Sequence, residues 1–134
     1  MRLIINTDGG SRGNPGPSAS GIVIVDEKGE ELDRFGQFLG DQTNNYAEYM
    51  GVVLALERAV ELGADEIDFN LDSELIVKQL NREYKVKNPD LAQLFLKIHN
   101  LQSNFKKVTY KHVYREQNKE ADKVVNEILD KETT

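Results

Sequence analysis

Apolar and polar positions along this chain change period several times, and each change marks an element. Leu3, Ile4 and Ile5 open a run over residues 2–8 that reads as a buried strand. A Gly/Pro-rich loop follows, and Ile22-Val23-Ile24-Val25 then gives a second strand over 21–26. Lys28-Gly29 marks a turn, and residues 31–39 supply a third strand through Leu32, Phe35 and Phe38. From residue 45 the period becomes helical. Residues 45–62 carry the strongest helix pattern: Asn45-Tyr46-Ala47-Glu48 has the spacing of a capping box, and Gly63 fits a C-terminal stop. Residues 66–71 return to strand, and 73–82 to helix through Leu75, Ile76, Gln79 and Leu80. Asn88-Pro89-Asp90 opens a helix reaching residue 103, carried by Leu91, Leu94, Phe95, Ile98 and Leu101. Residues 108–114 alternate as a strand. A last helix over 117–131 buries Ala121, Val124, Val125, Ile128 and Leu129.

The order is therefore βββαβααβα. Short connections make strands 1–3 an antiparallel meander. Strands 4 and 5 each follow a helix, which implies crossovers and parallel pairing with strand 1. The expectation is an α/β fold: one five-stranded mixed sheet flanked by helices. At 134 residues, with no linker or low-complexity tract, the chain reads as a single domain.

Composition narrows the class. Fractions of 39% apolar and 30% charged residues describe an ordinary globule rather than a disordered chain. No apolar run is long enough to span a bilayer, and the N-terminus lacks a signal-peptide layout, so a cytoplasmic location is expected. Without cysteine there is no disulfide framework and no thiolate metal site. The net charge of −6 argues mildly against a nucleic-acid partner. Charge is uneven, however: Lys78, Arg82, Lys85 and Lys87 form one basic group, and Lys106, Lys107, Lys111 and Arg115 a second. Such groups are most often solvated faces; here they also permit a basic groove.

Four acids, Asp8, Glu48, Asp72 and Asp122, lie where a strand meets a loop or a helix begins. Each has an ordinary use: turn residue, capping-box partner, N-cap, first-turn acid. Glu48 shares a helix face with Gly51, Val52, Ala55 and Ala59, small and apolar residues that suit close approach to a sheet. Asp122 borders Val125 and Leu129 at helical spacing, at the edge of the buried stripe. If strands 1 and 4 are parallel neighbours, Asp8 and Asp72 share one edge. Four clustered carboxylates either raise their own pKa values or collect cations, and an all-oxygen site selects Mg²⁺ or Mn²⁺. Two such ions suit in-line displacement at phosphorus. The glycines after Asp8 could serve an ordinary turn, but directly after a candidate metal ligand they favour close approach of backbone to a ligand.

Four motifs carry a resemblance. Residues Asp8-Gly9-Gly10-Ser11-Arg12-Gly13-Asn14-Pro15-Gly16-Pro17 form the first, and Thr43-Asn44-Asn45-Tyr46-Ala47-Glu48 the second. Leu71-Asp72-Ser73 and Arg115-Glu116-Gln117-Asn118-Lys119-Glu120-Ala121-Asp122 complete them. In this order, across essentially the whole chain, they resemble the signatures of type 1 ribonuclease H. The resemblance implies the ribonuclease-H-like fold and endonucleolytic cleavage of the RNA strand of an RNA/DNA hybrid, leaving 5′-phosphate and 3′-hydroxyl ends. It implies two Mg²⁺ ions, with Mn²⁺ as substitute, held by Asp8, Glu48, Asp72 and Asp122. Asn14, Asn44 and Asn45, with Thr43 in the same motif, would meet the hybrid, Gly9 and Gly10 through their backbone. A family histidine that assists proton transfer or product release falls on His112, and Arg115 in the following loop is an equal candidate. Glu74 stands where many relatives carry a glutamine that touches substrate.

The stretch from Arg82 to Asp90 leaves no room for the basic protrusion that many bacterial members use. Weaker, strongly salt-sensitive hybrid binding is expected, with Lys85 and Lys87 supplying part of it. A monomer is expected. Two other readings remain: a related domain that binds nucleic acid without cutting it, and a resolvase-, transposase- or integrase-like enzyme on a similar sheet.

Overall fold

The computed structural model describes residues 1–133. Its elements are β1 (Arg2–Ser11), β2 (Gly16–Asp26), β3 (Glu31–Gln42), α1 (Asn44–Leu62), β4 (Glu66–Leu71), α2 (Glu74–Leu80), α3 (Pro89–Gln102), β5 (Lys107–His112) and α4 (Lys119–Glu132). A single 3-10 turn, Arg115–Gln117, precedes α4. The sheet order is β3-β2-β1-β4-β5. β1, β2 and β3 pair antiparallel, whereas β1–β4 and β4–β5 are parallel. The expected mixed sheet and element order are both present.

One face of the sheet carries the main core. Leu3 and Ile5 of β1, Ile22 and Ile24 of β2, and Ile67, Phe69 and Leu71 of β4 pack with α1, α2 and α3 there. Phe69 and Tyr110 stack across β4 and β5 with ring centroids 5.2 Å apart. On the other face, Ala19 and Val23 of β2 meet Ala121, Val124, Val125 and Leu129 of α4. Two glycines let α4 lie against the strands. A Cβ at Gly21 would come within 2.5 Å of the Ala121 carbonyl oxygen, and one at Gly36 within 2.6 Å of Ile128 Cδ1.

Several boundaries differ from the pattern reading. β1 does not stop at Asp8; it runs on to Ser11, paired with β2 from Ser18 upward. The turn is thus confined to residues 12–15, with a cis Asn14–Pro15 peptide. Gly9 and Gly10 are strand residues; at Gly9 a close-packed neighbour, the Ala47–Glu48 backbone, and not a bend leaves no room for a side chain. β5 ends at His112 rather than residue 114, and α4 begins at Lys119 rather than 117 because the 3-10 turn intervenes. At the start of α1 the cap is Thr43, whose Oγ1 accepts from the Tyr46 N–H at 3.1 Å. The Asn45/Glu48 capping box does not form, since Asn45 already lies inside the helix and Glu48 in its second turn.

Candidate active site: an acidic cleft above the β1–β4 edge

The parallel ladder between β1 and β4 ends at the pair Asn6–Asn70. Two residues further along the chain from each stand Asp8 and Asp72, so the point where the strands part receives one carboxylate from each. Glu48 comes from α1, which reaches the same point because Gly9 and Gly51 have no side chains. A Cβ at Gly9 would sit 2.3 Å from the Glu48 nitrogen, and one at Gly51 3.5 Å from Thr7 Cβ. The small-residue face of α1 therefore lies on β1, and Glu48 points inward as expected. It is 7% exposed.

Asp8, Glu48 and Asp72 each offer a carboxylate oxygen, all within 4.8 Å of one another. Asp122 is not part of this three-way set. It lines the same cleft from the first turn of α4, close enough to bond the Asp8 carboxyl. Its Oδ2 also accepts from Asn126 Nδ2 at 3.2 Å. The quartet is thus a triad with a fourth acid at its side, rather than four equivalent neighbours.

The electrostatics are those of crowded, unneutralised acids. The Asp8 carboxyl is pushed up to about 8, first by burial, then by the Asp72 charge and by its bond and repulsion with Asp122; the Gly9 N–H opposes this. Glu48 is raised well above the ordinary carboxylate range, first by burial and then by Asp8 and Asp72. Glu48 Oε2 is buried with no hydrogen-bond partner among the described residues. An acceptor atom taken from water and left unmatched is costly unless something positive meets it. The donor set is all oxygen, which fits hard divalent cations and not zinc or copper.

A half-buried amide ladder fixes the fourth acid. Asn70 Nδ2 donates to Asn6 Oδ1 at 3.1 Å, and Asn6 Nδ2 to Asn118 Oδ1 at 3.0 Å. Asn118 Nδ2 donates in turn to the Thr7 carbonyl at 2.9 Å. Asn118 is 1% exposed, and its own carbonyl accepts from the Asp122 N–H at 3.1 Å. The start of α4 is thereby fastened to β1 one turn before Asp122. Pattern reading passed over this ladder. Its only local sign is asparagine at two strand positions, Asn6 and Asn70, where that residue is usually depleted.

The remaining candidates divide by place. Gly9, Gly10, Asn44, Asn45 and Arg115 line the cleft, as do Ser11, Arg12, Ser73 and Asn126, which were not singled out from the sequence. Asn14 Oδ1 accepts from the Asn44 N–H at 3.1 Å, and Asn44 Oδ1 from the Ser11 N–H at 2.8 Å; together they tie the hairpin tip to α1. Thr43 is engaged as the helix cap. His112 is not among the lining residues; its ring meets Tyr114 edge-on at 5.6 Å. Glu74 pairs with Lys78 at 3.0 Å, which holds its carboxyl below the usual range. Lys85 and Lys87 stand on the exposed 81–88 connection, outside the acidic cleft.

Comparison with known proteins agrees with this architecture. A family model described as reverse transcriptase-like matches residues 6–128. The bifunctional protein Rv2228c of Mycobacterium tuberculosis is 41% identical over 131 residues, covering 97% of this chain and 36% of that protein. This chain thus spans little more than a third of the mycobacterial relatives it matches. Among solved structures, RNase H1 of the archaeon Halobacterium salinarum superposes with a TM-score of 0.95 at 39% identity, covering 98% of this chain and 99% of that one. LC11-RNase H1, solved in complex with an RNA/DNA hybrid, gives 0.94 at 42% identity, with 98% and 99% covered.

Proposed function

Because the chain belongs to the type 1 ribonuclease H family, we propose that it is an endonuclease hydrolysing the RNA strand of RNA/DNA hybrids to 5′-phosphate and 3′-hydroxyl ends. One observation carries the reading: three carboxylates, from β1, α1 and the β4–α2 connection, present oxygens within 4.8 Å of one another, beside a fourth acid. Asp8, Glu48, Asp72 and Asp122 would hold two Mg²⁺ ions, or Mn²⁺ in their place. Bound there, paired divalent ions supply an acidified water and charge neutralisation at the leaving oxygen.

The chain's own residues do the rest. Burial and the neighbouring acids favour the protonated form of Asp8, and a divalent cation held there would favour its carboxylate. Arg115 lines the cleft and is the cation we assign beside the scissile phosphate, in preference to His112. The Oδ1 atoms of Asn14 and Asn44 are engaged in fixing the hairpin, which leaves their Nδ2 groups as donors for a ribose 2′-hydroxyl. Asn45 stands with Asn44 on the cleft wall, while Gly9 and Gly10 offer backbone. Lys85 and Lys87 would meet phosphates farther along the duplex. Thr43 contributes by capping α1, and Glu74 by its pair with Lys78, so neither is assigned a substrate contact. A cytoplasmic monomer goes with this reading; no helix among the described residues is long and apolar enough to cross a membrane.

Incubation with end-labelled RNA/DNA, RNA/RNA and DNA/DNA duplexes, with and without Mg²⁺ or Mn²⁺, tests the proposal. Metal-dependent cutting of the RNA in the hybrid is expected, and equal cutting of DNA/DNA would sink the specificity.

A further inference from the structure

Arg12 lies just past the end of β1 in the β1–β2 turn, lines the acidic cleft, and has no part in the reading above. Among the described lining residues the cations are Arg12 and Arg115. They come from different parts of the sheet: Arg115 follows β5 at one edge, and Arg12 joins β1 to β2. The wall facing β1 is α4, and the two run side by side. Asn118 docks on Thr7, Val125 lies over Gly10, and Asp130 and Thr133 reach Arg12.

The guanidinium is occupied. Its Nη2 donates to Asp130 Oδ1 at 2.5 Å and its Nη1 to Thr133 Oγ1 at 3.2 Å. Yet the pair is open to solvent, with the Arg12 side chain 40% and that of Asp130 68% exposed. Exposed pairs of this kind contribute little to stability and exchange readily. The hairpin beneath is held firmly: the Arg12 N–H bonds the Pro17 carbonyl at 2.9 Å, and Ser11 and Asn14 are bound to Asn44. The backbone that carries Arg12 is thus fixed, while the weak, exposed pair leaves its fork open to exchange. Two oxygens of a phosphodiester suit that fork at least as well as a carboxylate and a hydroxyl do.

We propose that Arg12 binds a backbone phosphate of the nucleic acid in the cleft, and that Asp130 and Thr133 hold the guanidinium in a resting position from which the phosphate displaces it. The inference rests on the proposed function and deepens it. The terminal turn of α4 becomes a competitor for the substrate's charge. Arg12 is a binding residue with no part in the bond-breaking step.

Steady-state cleavage of a hybrid over a range of salt concentrations, with melting temperatures measured in parallel, decides the matter for Arg12→Ala, Asp130→Asn and the double variant. Arg12→Ala is expected to raise KM about three- to tenfold with a far smaller change in kcat, and to lower the salt slope by about one phosphate contact. Asp130→Asn should lower KM about two- to threefold, and should have no effect once Arg12 is gone. Variants that shift only the melting temperature, with KM and salt slope as in the wild type, would overturn the proposal and leave the pair a simple staple. In that outcome wild-type cleavage of the hybrid persists and the function stands. A wild-type chain that cuts no hybrid overturns both.

Discussion

Asp68 and Asp8 sit on neighbouring strands of one sheet, and the fold treats them in opposite ways. Asp68 on β4 accepts from Thr109 Oγ1 at 2.7 Å and from Arg2, whose Nε is 2.7 Å and Nη2 2.5 Å away. The Thr109 bond and the Arg2 cation hold its carboxyl below the ordinary range. Asp33 has Arg58 at 2.7 Å, and Asp65 has the N-terminal ammonium at 2.6 Å. Asp8 has two further acids against it and is raised. The chain contains 17 lysines and arginines, so cations are not scarce; they are placed elsewhere. Two carboxylates about 4 Å apart repel by roughly 4 kcal/mol at an effective dielectric of ~20. A fold that pairs Asp68, Asp33 and Asp65 with cations but leaves Asp8, Glu48 and Asp72 together carries a standing cost that an external cation offsets. That contrast is the physical argument for the metal site.

The contrast can be broken by replacing one side at a time. Asp8→Asn removes a proposed metal ligand and should lower hybrid cleavage about 10³-fold or more, read as kcat under saturating Mg²⁺. The same change lifts repulsion, so the variant's metal-free melting temperature should not fall. Asn118→Ala comes next. It takes the Asn118 bond from the Thr7 carbonyl and leaves the Asn6 amide only its longer bond to the Gln117 carbonyl at 3.3 Å, costing about 1–3 kcal/mol in denaturant unfolding. Freed from β1, Asp122 should drift, and kcat should fall about ten- to a hundredfold in the fraction that remains folded. An Asn118→Ala enzyme with wild-type kcat would separate the ladder from the site. Asp68→Asn is the smallest: about 1 kcal/mol of stability at neutral pH and unchanged kcat. Its folded carboxyl is depressed, so the stability it adds is present above the ordinary carboxylate range and is lost as pH falls through the lowered value. The gap between wild type and Asp68→Asn should therefore close in acid.

Much of this arrangement was legible in the sequence. Periodicity placed the five strands and four helices because each element buries one face, and burial is what apolar spacing records. The inward aim of Glu48 was legible from Gly51, Val52, Ala55 and Ala59. What failed had competing physical uses. Gly9 read as a residue of a ligand-approaching loop or a turn because glycine serves both as well as close packing; only the position of α1 shows that its missing side chain makes room for a helix. Asn45 and Glu48 had capping-box spacing, but Thr43 provides the cap, and that frees the Glu48 carboxylate for the cleft. The ladder of Asn6, Asn70 and Asn118 joins residues 64 and 112 positions apart, and no local pattern signals such a partnership. The position of Asp122 beside, rather than within, the close triad is likewise a matter of tertiary distance. His112 and Arg115 could not be ranked from spacing. The end of β5 at His112 keeps the imidazole out of the cleft lining and brings the Arg115 guanidinium into it.

Thermal unfolding of the chelated protein, wild type against Asp8→Asn, from pH ~5 to ~8.5 and then with saturating Mn²⁺, tests the central claim most directly. Asp8 and Glu48 are raised in the folded state, so their contribution is fullest in acid and is lost as pH rises toward about 8. The metal-free wild type should therefore weaken relative to Asp8→Asn as pH rises, and Mn²⁺ should restore the wild type far more than the variant. A difference between the two that is flat or reversed across this range, with no stabilisation by Mn²⁺, would contradict the account.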